Sequence, residues 1–441
     1  MASRSEAPAG DPSPSNPDQQ GSTMRRLFLG FCAALAFSAA ARAAPTEINV
    51  LYGLPWLFKD AQETIASDFM AEHPEIRINL LAPVKSYEEV MTAVLRGAAA
   101  GTLPDVAFCG TNLMGVAVDR NLAVPLDDFI KADSDFDKQG YIPAMLATSV
   151  VRGRQYGMPF ALSTPIAYYN LDIVRRAGGD ADHLPTTWPE VIALSEKINK
   201  LGDGSRSAFI HWQTTGNYLW QALLFTHGGK LLDDAGRRVA FNSPQGLAAL
   251  SVLHDLGATA KMPNFSREQA RQDFTAGQLG VQFSSSAELT LVTRQIGGKF
   301  ELRTAPFPTP RPDAPIVSGG ATAMIFARDK AKQQAAFAYL KFLTGAHAQA
   351  IIARLTGYLP SNQIAIDRPG LLGDYYAANP NARTSLRQLP RATAWVGFPG
   401  DNALKIIDVV NDGVESVVTG KAEPKAALAR MEADANALMP K

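Results

Sequence analysis

Two cysteines in 441 residues are too few for a disulfide framework. Cys32 falls in an N-terminal segment that reads as a cleaved leader, so Cys109 is left without a partner and is expected to be a buried thiol. Beyond residue 43 the chain has no apolar run of the ~18 residues or more that a membrane-spanning helix needs. Charge of one sign is missing too. Lysine plus arginine and aspartate plus glutamate each number 42, which gives no electrostatic footprint for nucleic acid or for an anionic membrane surface. The six histidines (His73, His183, His211, His227, His254, His347) are dispersed, and no H-E-x-x-H or other metal-ligand spacing occurs. Gly319-Gly320 does not extend to G-x-G-x-x-G, there is no P-loop, and Ser284-Ser285-Ser286 is not a G-x-S-x-G elbow. Nucleotide binding, metal catalysis and serine hydrolysis therefore lack their usual sequence support. No cofactor is called for.

What is present begins with a leader. Met24-Arg25-Arg26 supplies a positive start, Leu27 to Phe37 an apolar run too short to span a bilayer, and Ala41-Arg42-Ala43 a small-x-small cleavage site. Residues 1–43 are assigned to leader and signal peptide, with Ala44 opening the mature chain. Bulky Phe31 before Cys32 argues against a lipobox. The remaining ~400 residues suffice for two domains with cores of their own.

Ile48, Val50 and Tyr52 alternate as a strand does, and Ala61, Ile65 and Phe69 recur at helical spacing before His73-Pro74. Ile76, Ile78 and Leu80 alternate again. Ser86 with Glu89 has the form of a capping box, and Val106 to Cys109 reads as a buried strand. The β-α-β-α-β order predicts a parallel sheet wrapped by helices. From Gly157 a second set follows: strands at Met158–Ala161 and Ile166–Tyr169, a helix opened by Thr187 with Glu190, helices opened by Ser243 and Ser266, and a strand at Val281–Phe283. The strand Ala321–Phe326 and the helix carrying Tyr339 and Leu343 come next, and their return to the first set is implied only by the family resemblance given below. Two helices, 403–418 and 424–438, close the chain over the second. The division is accordingly 44–156 and 305–352 for a first lobe, 157–304 and 353–441 for a second.

The stretch from Ser163 to Trp188 gathers hydroxyls, Tyr168, Tyr169, Asn170 and a tryptophan around turn signals, which suits a wall gripping a small polar molecule. Ser284 to Ser286 lie where a strand meets a helix, so they either cap that helix or hold a ligand oxygen. Gly319-Gly320 either brings backbone near a ligand or starts a strand. Tyr358, after Thr356-Gly357, either faces a cleft or packs in a core.

Ser163-Thr164-Pro165, Tyr168-Tyr169-Asn170, Thr187-Trp188, Gly319-Gly320-Ala321, Thr356-Gly357-Tyr358-Leu359-Pro360, and Glu415-Ser416-Val417 with Thr419-Gly420-Lys421 occur together in one order. In this the chain resembles the extracellular solute-binding proteins of ABC importers, family 1, and within them the sn-glycerol-3-phosphate-binding branch. The resemblance implies a two-lobed α/β periplasmic-binding-protein fold of type II, with parallel-sheet lobes joined by hinge strands. It implies a monomeric periplasmic receptor that closes over a solute, delivers it to an inner-membrane permease and catalyses nothing. Matching positions imply ligand contacts at Tyr87, Ser163, Trp188, Ser285, Gly320 and Tyr358, with Trp212 in looser register. Two positions depart from the branch. Gly110 stands where it has an acid, and Gly397-Phe398-Pro399-Gly400 where it has an arginine, which leaves Arg391 or Lys405 as substitute cations for a phosphate. The solute class is then glycerol-3-phosphate-like, a glycerophosphodiester, or a neutral sugar or polyol. The alternative classes are a secreted glycan- or phosphodiester-hydrolysing enzyme, whose paired carboxylates no spacing singles out, and a chemoreceptor-coupled binding protein.

Overall fold

The computed structural model describes residues 44–440, so the leader segment lies outside the described residues. The chain opens with β1 (Thr46–Leu51), α1 (Pro55–Glu72), β2 (Ile76–Leu80), α2 (Tyr87–Ala100) and β3 (Val106–Gly110). β1 pairs in parallel with β2 on one side and β3 on the other. Strand-helix-strand crossovers produce that parallel arrangement, and it buries Ile48, Val50 and Phe108 beneath the helices. Ser86 caps α2 by accepting from the Glu89 amide at 3.2 Å, but the Glu89 carboxylate accepts from Lys85 rather than Ser86. Half of the anticipated box forms, and the return bond closes one residue earlier than usual.

The next elements are β4 (Gly157–Ser163), β5 (Pro165–Asn170), α3 (Trp188–Asn199), β6 (Arg206–Ile210), α4 (Tyr218–Thr226), α5 (Pro244–Ala258), α6 (Arg267–Thr275), β7 (Leu279–Ser285) and β8 (Leu302–Pro306). β9 (Ile316–Ile325), α7 (Lys330–Thr344), α8 (Ala346–Leu355), β10 (Ala392–Ala394), α9 (Ala403–Val418) and α10 (Pro424–Leu438) follow. A second sheet has the order β8-β5-β7-β6, antiparallel except for β6 beside β7. The first sheet is completed by β9, antiparallel to both β3 and β4 and parallel to short β10. Both sheets are thus mixed, because the strands that link them enter against the direction of their neighbours.

β4 belongs by its hydrogen bonds to the first sheet, whereas the sequence division places it after the boundary at 157 with the second set. The chain first leaves that sheet at Thr164, between Ser163 at the end of β4 and Pro165 at the start of β5. Proline is tolerated at the first residue of a strand, where its missing N–H breaks no interior ladder bond. The return runs from β8 to β9. α9 and α10 pack on each other and on α5. Cys109 is fully buried on β3, and burial pushes its thiol up to about 12. Among the described residues no helix is long and apolar enough to cross a membrane, and no group of three or more His, Cys, Asp or Glu is placed to hold a metal ion.

Candidate solute-binding recess

Helix starts and strand ends converge between the two sheets. Tyr87 is the first residue of α2, Tyr218 of α4 and Arg267 of α6, while Ser163 and Ser285 end β4 and β7. With Leu54, Leu57, Thr214, Thr215, Ala287, Gly319, Gly320, Tyr358 and Trp395 they line a small recess. Ends of strands and starts of helices are where backbone polar groups lack intrinsic partners, which is why an α/β fold places binding groups there.

The hydroxyls form a chain across the two sheets. The Ser285 hydroxyl donates to Ser163 Oγ at 2.9 Å, Ser163 Oγ donates to the Gly319 carbonyl at 3.0 Å, and the Tyr218 hydroxyl donates to the Ser163 carbonyl at 2.8 Å. Ser285 also accepts from the Ala287 amide at 3.1 Å. The capping role and the lining role therefore fall on the same serine. Opposite them the Tyr87 and Tyr358 hydroxyls are hydrogen-bonded at 2.9 Å. Burial pushes the Tyr358 phenol up to about 12 and raises the Tyr87 phenol well above its usual range, so both remain neutral near neutral pH.

Gly320 is required by close approach. A Cβ there would stand 1.9 Å from the Ala161 carbonyl oxygen and 3.1 Å from Tyr358. At Gly319 a Cβ would overlap the Trp395 ring at 2.6 Å, so the indole lies directly on the β9 backbone. Trp395 is oriented by donating Nε1–H to the Gly216 carbonyl at 3.0 Å and meets Tyr87 and Tyr218 edge-on, with centroids 6.3 and 5.3 Å away. These rings give the recess an aromatic wall.

Arg267 is the only charged residue among those lining the recess. Its guanidinium is 2.5 Å from the fully buried Glu288 carboxylate, which also accepts from the Ser284 hydroxyl at 2.7 Å. Burial alone would raise the Glu288 carboxyl, but the Arg267 charge and these hydrogen bonds outweigh it and hold the group at about 2. Burial pushes the nearby His211 imidazole down to about 4, so it is neutral at ordinary pH. Arg267 and Arg271, one turn apart, both lie over the Trp56 ring, 5.2 and 5.1 Å from its centroid. A wider, open cleft shares Leu54, Thr215 and Arg267 with the recess and adds Lys85, Glu88, Glu268 and Asp408.

Of the seven positions anticipated as contacts, the recess brings together Tyr87, Ser163, Ser285, Gly320 and Tyr358. Trp188 and Trp212 stand elsewhere. Trp188 is buried against Phe283 and Phe307, its centroid 4.9 and 5.2 Å from theirs, because the helix it starts packs its first turn into the second core. Trp212 is buried just before Thr214 and Thr215, which line the recess instead. Tyr168 and Tyr169 do not form a wall either. Both are fully buried on β5, their hydroxyls donating to the Ser285 and Pro185 carbonyls, and Asn170 caps the following helix. Arg391 donates to the Ala314 carbonyl at 2.8 Å, and neither it nor Lys405 lines the recess. Sequence reasoning missed Arg267, Tyr218 and Trp395. The capping box of Ser266 with Gln269, which places Arg267 at a helix start, is the one local sign of the first.

The two departures from the resembled branch meet in space. A Cβ on Gly110 would stand 2.6 Å from Asn112 Oδ1 and 3.1 Å from Tyr87, and a Cβ on Gly397 would stand 1.7 Å from the Asn112 carbonyl. Both glycines thus let the backbone pack closely against Asn112.

A family model described as bacterial extracellular solute-binding protein matches residues 57–350. Curated relatives include the sn-glycerol-3-phosphate-binding periplasmic protein UgpB of Yersinia pseudotuberculosis, 26% identical over 91% of this chain and 94% of its own length. UgpB of Agrobacterium fabrum is 26% identical over 92% and 96%. Among solved structures, UgpB from Mycobacterium tuberculosis in complex with glycerophosphocholine superposes with a TM-score of 0.79 at 23% identity, over 90% of this chain and 98% of that one. The maltose/maltodextrin-binding domain MalE from Bdellovibrio bacteriovorus, bound to maltotriose, gives 0.73 at 18% identity over 89% and 99%.

Proposed function

The chain belongs to the bacterial extracellular solute-binding proteins, and from that premise we propose that it is the solute-capturing receptor of an ABC importer. It works in the periplasm, reached by a cleaved signal peptide, and hands its solute to an inner-membrane permease. The solute is small and hydroxyl-rich, of the glycerol-phosphate, glycerophosphodiester or sugar and polyol class. The two sheets with their helices act as lobes that close over it.

The observation that carries this reading is the composition of the recess walls. Tyr87, Ser163 and Gly320 come from elements of the first sheet, and Ser285, Thr215 and Arg267 from elements of the second. A solute that touches both groups at once binds the closed arrangement better than any open one, and only such differential affinity can drive closure. Ring faces of Tyr87, Tyr358 and Trp395 suit the C–H surface of a polyol, while the Ser163 and Ser285 hydroxyls and the Gly320 backbone suit its oxygens.

A thermal-shift panel of glycerol-3-phosphate, glycerophosphocholine, disaccharides and polyols tests the reading. A true solute at 100 times its dissociation constant stabilises the fold by about 2.7 kcal/mol, a readily measured rise in Tm. An unchanged Tm across the panel would sink the solute class, and release of product during long incubation would sink the receptor reading in favour of a hydrolase.

A further inference from the structure

We infer that Arg267 is the charge-recognising residue of the recess and that the solute is a hydroxylated monoanion, a phosphodiester or a carboxylate, rather than a neutral sugar or a dianionic phosphomonoester. This rests on the solute-receptor reading above and adds the charge of the solute to it.

The charges around the recess can be counted. Arg267 alone among the lining residues is charged, and its Nε–H is buried without a protein acceptor. Behind it stand Glu288, at 2.5 Å, and Arg271, whose guanidinium is 4.0 Å from the other Glu288 oxygen. His211 beside them is neutral. Among the groups largely out of water, two guanidinium groups and one carboxylate leave one net positive charge; Glu268, the next residue, also acts on Arg267 but is exposed, where solvent screens it. A buried charge of this kind is weakly screened, so an anion brought to Arg267 gains far more than it would at an exposed arginine. A hydroxyl of a neutral solute can accept from the Arg267 guanidinium, but only an anion makes that bond charge-assisted on both sides, which strengthens it. Arg267 also starts α6, where the unpaired amides of the first turn add to the positive potential.

A second negative charge has no counterpart. The other ionisable groups nearby are Lys85, Glu88, Glu268 and Asp408, which line the outer cleft rather than the recess. Three of these four are acidic, and burial together with Asp412 and Glu88 raises the Asp408 carboxyl, the mark of crowded like charge. A phosphomonoester, which carries about −1.5 to −2 at pH 7, would bring more charge than Arg267 and Arg271 leave unbalanced. A phosphodiester or a sugar acid matches it.

Calorimetric titration of the mature chain with four probes separates these cases: glycerophosphoglycerol, glucuronate, sn-glycerol-3-phosphate and glucose, at about pH 8, where the phosphomonoester is close to doubly charged. One of the two monoanions is expected to bind at least ~10-fold more tightly than both the dianion and glucose; which of the two does so distinguishes the phosphodiester from the carboxylate. In Arg267→Gln that monoanion should weaken by ~10-fold or more, with glucose affinity within about twofold. Arg267→Lys should keep part of the preference, and Arg271→Gln, which removes the net charge without touching the recess, should lower monoanion affinity by a smaller factor. Circular dichroism and Tm establish that each variant is folded. Tightest binding of glucose or of the phosphomonoester, or equal weakening of all probes in Arg267→Gln, overturns the inference while leaving the receptor reading intact. Binding of none of the four overturns the inference and the solute class together.

Discussion

His211 and Glu288 make the second sheet sensitive to acid. Folded His211 stays neutral down to about 4, whereas in the unfolded chain it takes up a proton near 6.5. The unfolded state then holds more protons between those values, so stability falls as pH drops through that window. Glu288 repeats the pattern lower down, staying ionised to about 2 against 4.5 when unfolded. Denaturant midpoints are expected to be flat above pH 7 and to decline from about pH 6.5 downward by a few kcal/mol in total; a midpoint constant down to pH 4 would contradict it. Glycines divide just as sharply. Gly320→Ala would drive a Cβ into the Ala161 carbonyl, which cannot move without breaking the β4–β9 ladder, and should cost about 2 to 4 kcal/mol. Gly115 lies in a short helix where an added methyl would have nothing within 4 Å, so Gly115→Ala should be neutral or stabilise by up to about 1 kcal/mol in the same denaturation assay.

At the scale of elements, the caps aim the recess. Ser266 accepts from the Gln269 amide at 3.2 Å while Gln269 accepts from the Ser266 amide at 2.8 Å, a reciprocal box that starts α6 at Arg267. Ser266→Ala should lower stability by about 1 kcal/mol in urea and loosen Arg267, so solute affinity should fall with it; an unchanged midpoint would show that the cap contributes nothing. Such elements were legible in the sequence. Ser86, Ser243 and Ser266 all cap the helices their spacing announced, because a cap needs only residues within a turn of one another. The membership of β4 was not legible, since its apolar run from Met158 to Leu162 is compatible with either sheet and only the pairing with β9 decides it.

At the scale of the molecule, Trp56 joins elements that the proposed closure brings together and opening would part. It sits on α1 beside the first sheet, 39% exposed, while Arg267 and Arg271 reach it from α6 beside the second. Each contact of this kind is worth about 0.5 to 1 kcal/mol at a partly exposed site. Trp56→Ala should therefore weaken solute binding by roughly 5- to 30-fold at most while leaving the recess residues in place. Calorimetry reads the change, and an affinity equal to the parent's would mean that the contact does not bias closure.

The two-lobed α/β character, the lone thiol of Cys109 and most helix starts were settled by the order of residues, because periodicity, capping and composition act over a few neighbours. The same short reach explains the errors at Trp188, Tyr168 and Tyr169: an aromatic residue in a stretch with turn signals satisfies a ligand wall and a second core equally well until its neighbours are known. Tertiary structure alone made that choice, packing Trp188 on Phe283 and Phe307 and bringing Trp395 onto Gly319 from far along the chain. It also put Arg267 at the recess, where the sequence offered Arg391 or Lys405. Charge at a recess depends on which segments converge there and on how much water they exclude, and neither is written in local sequence.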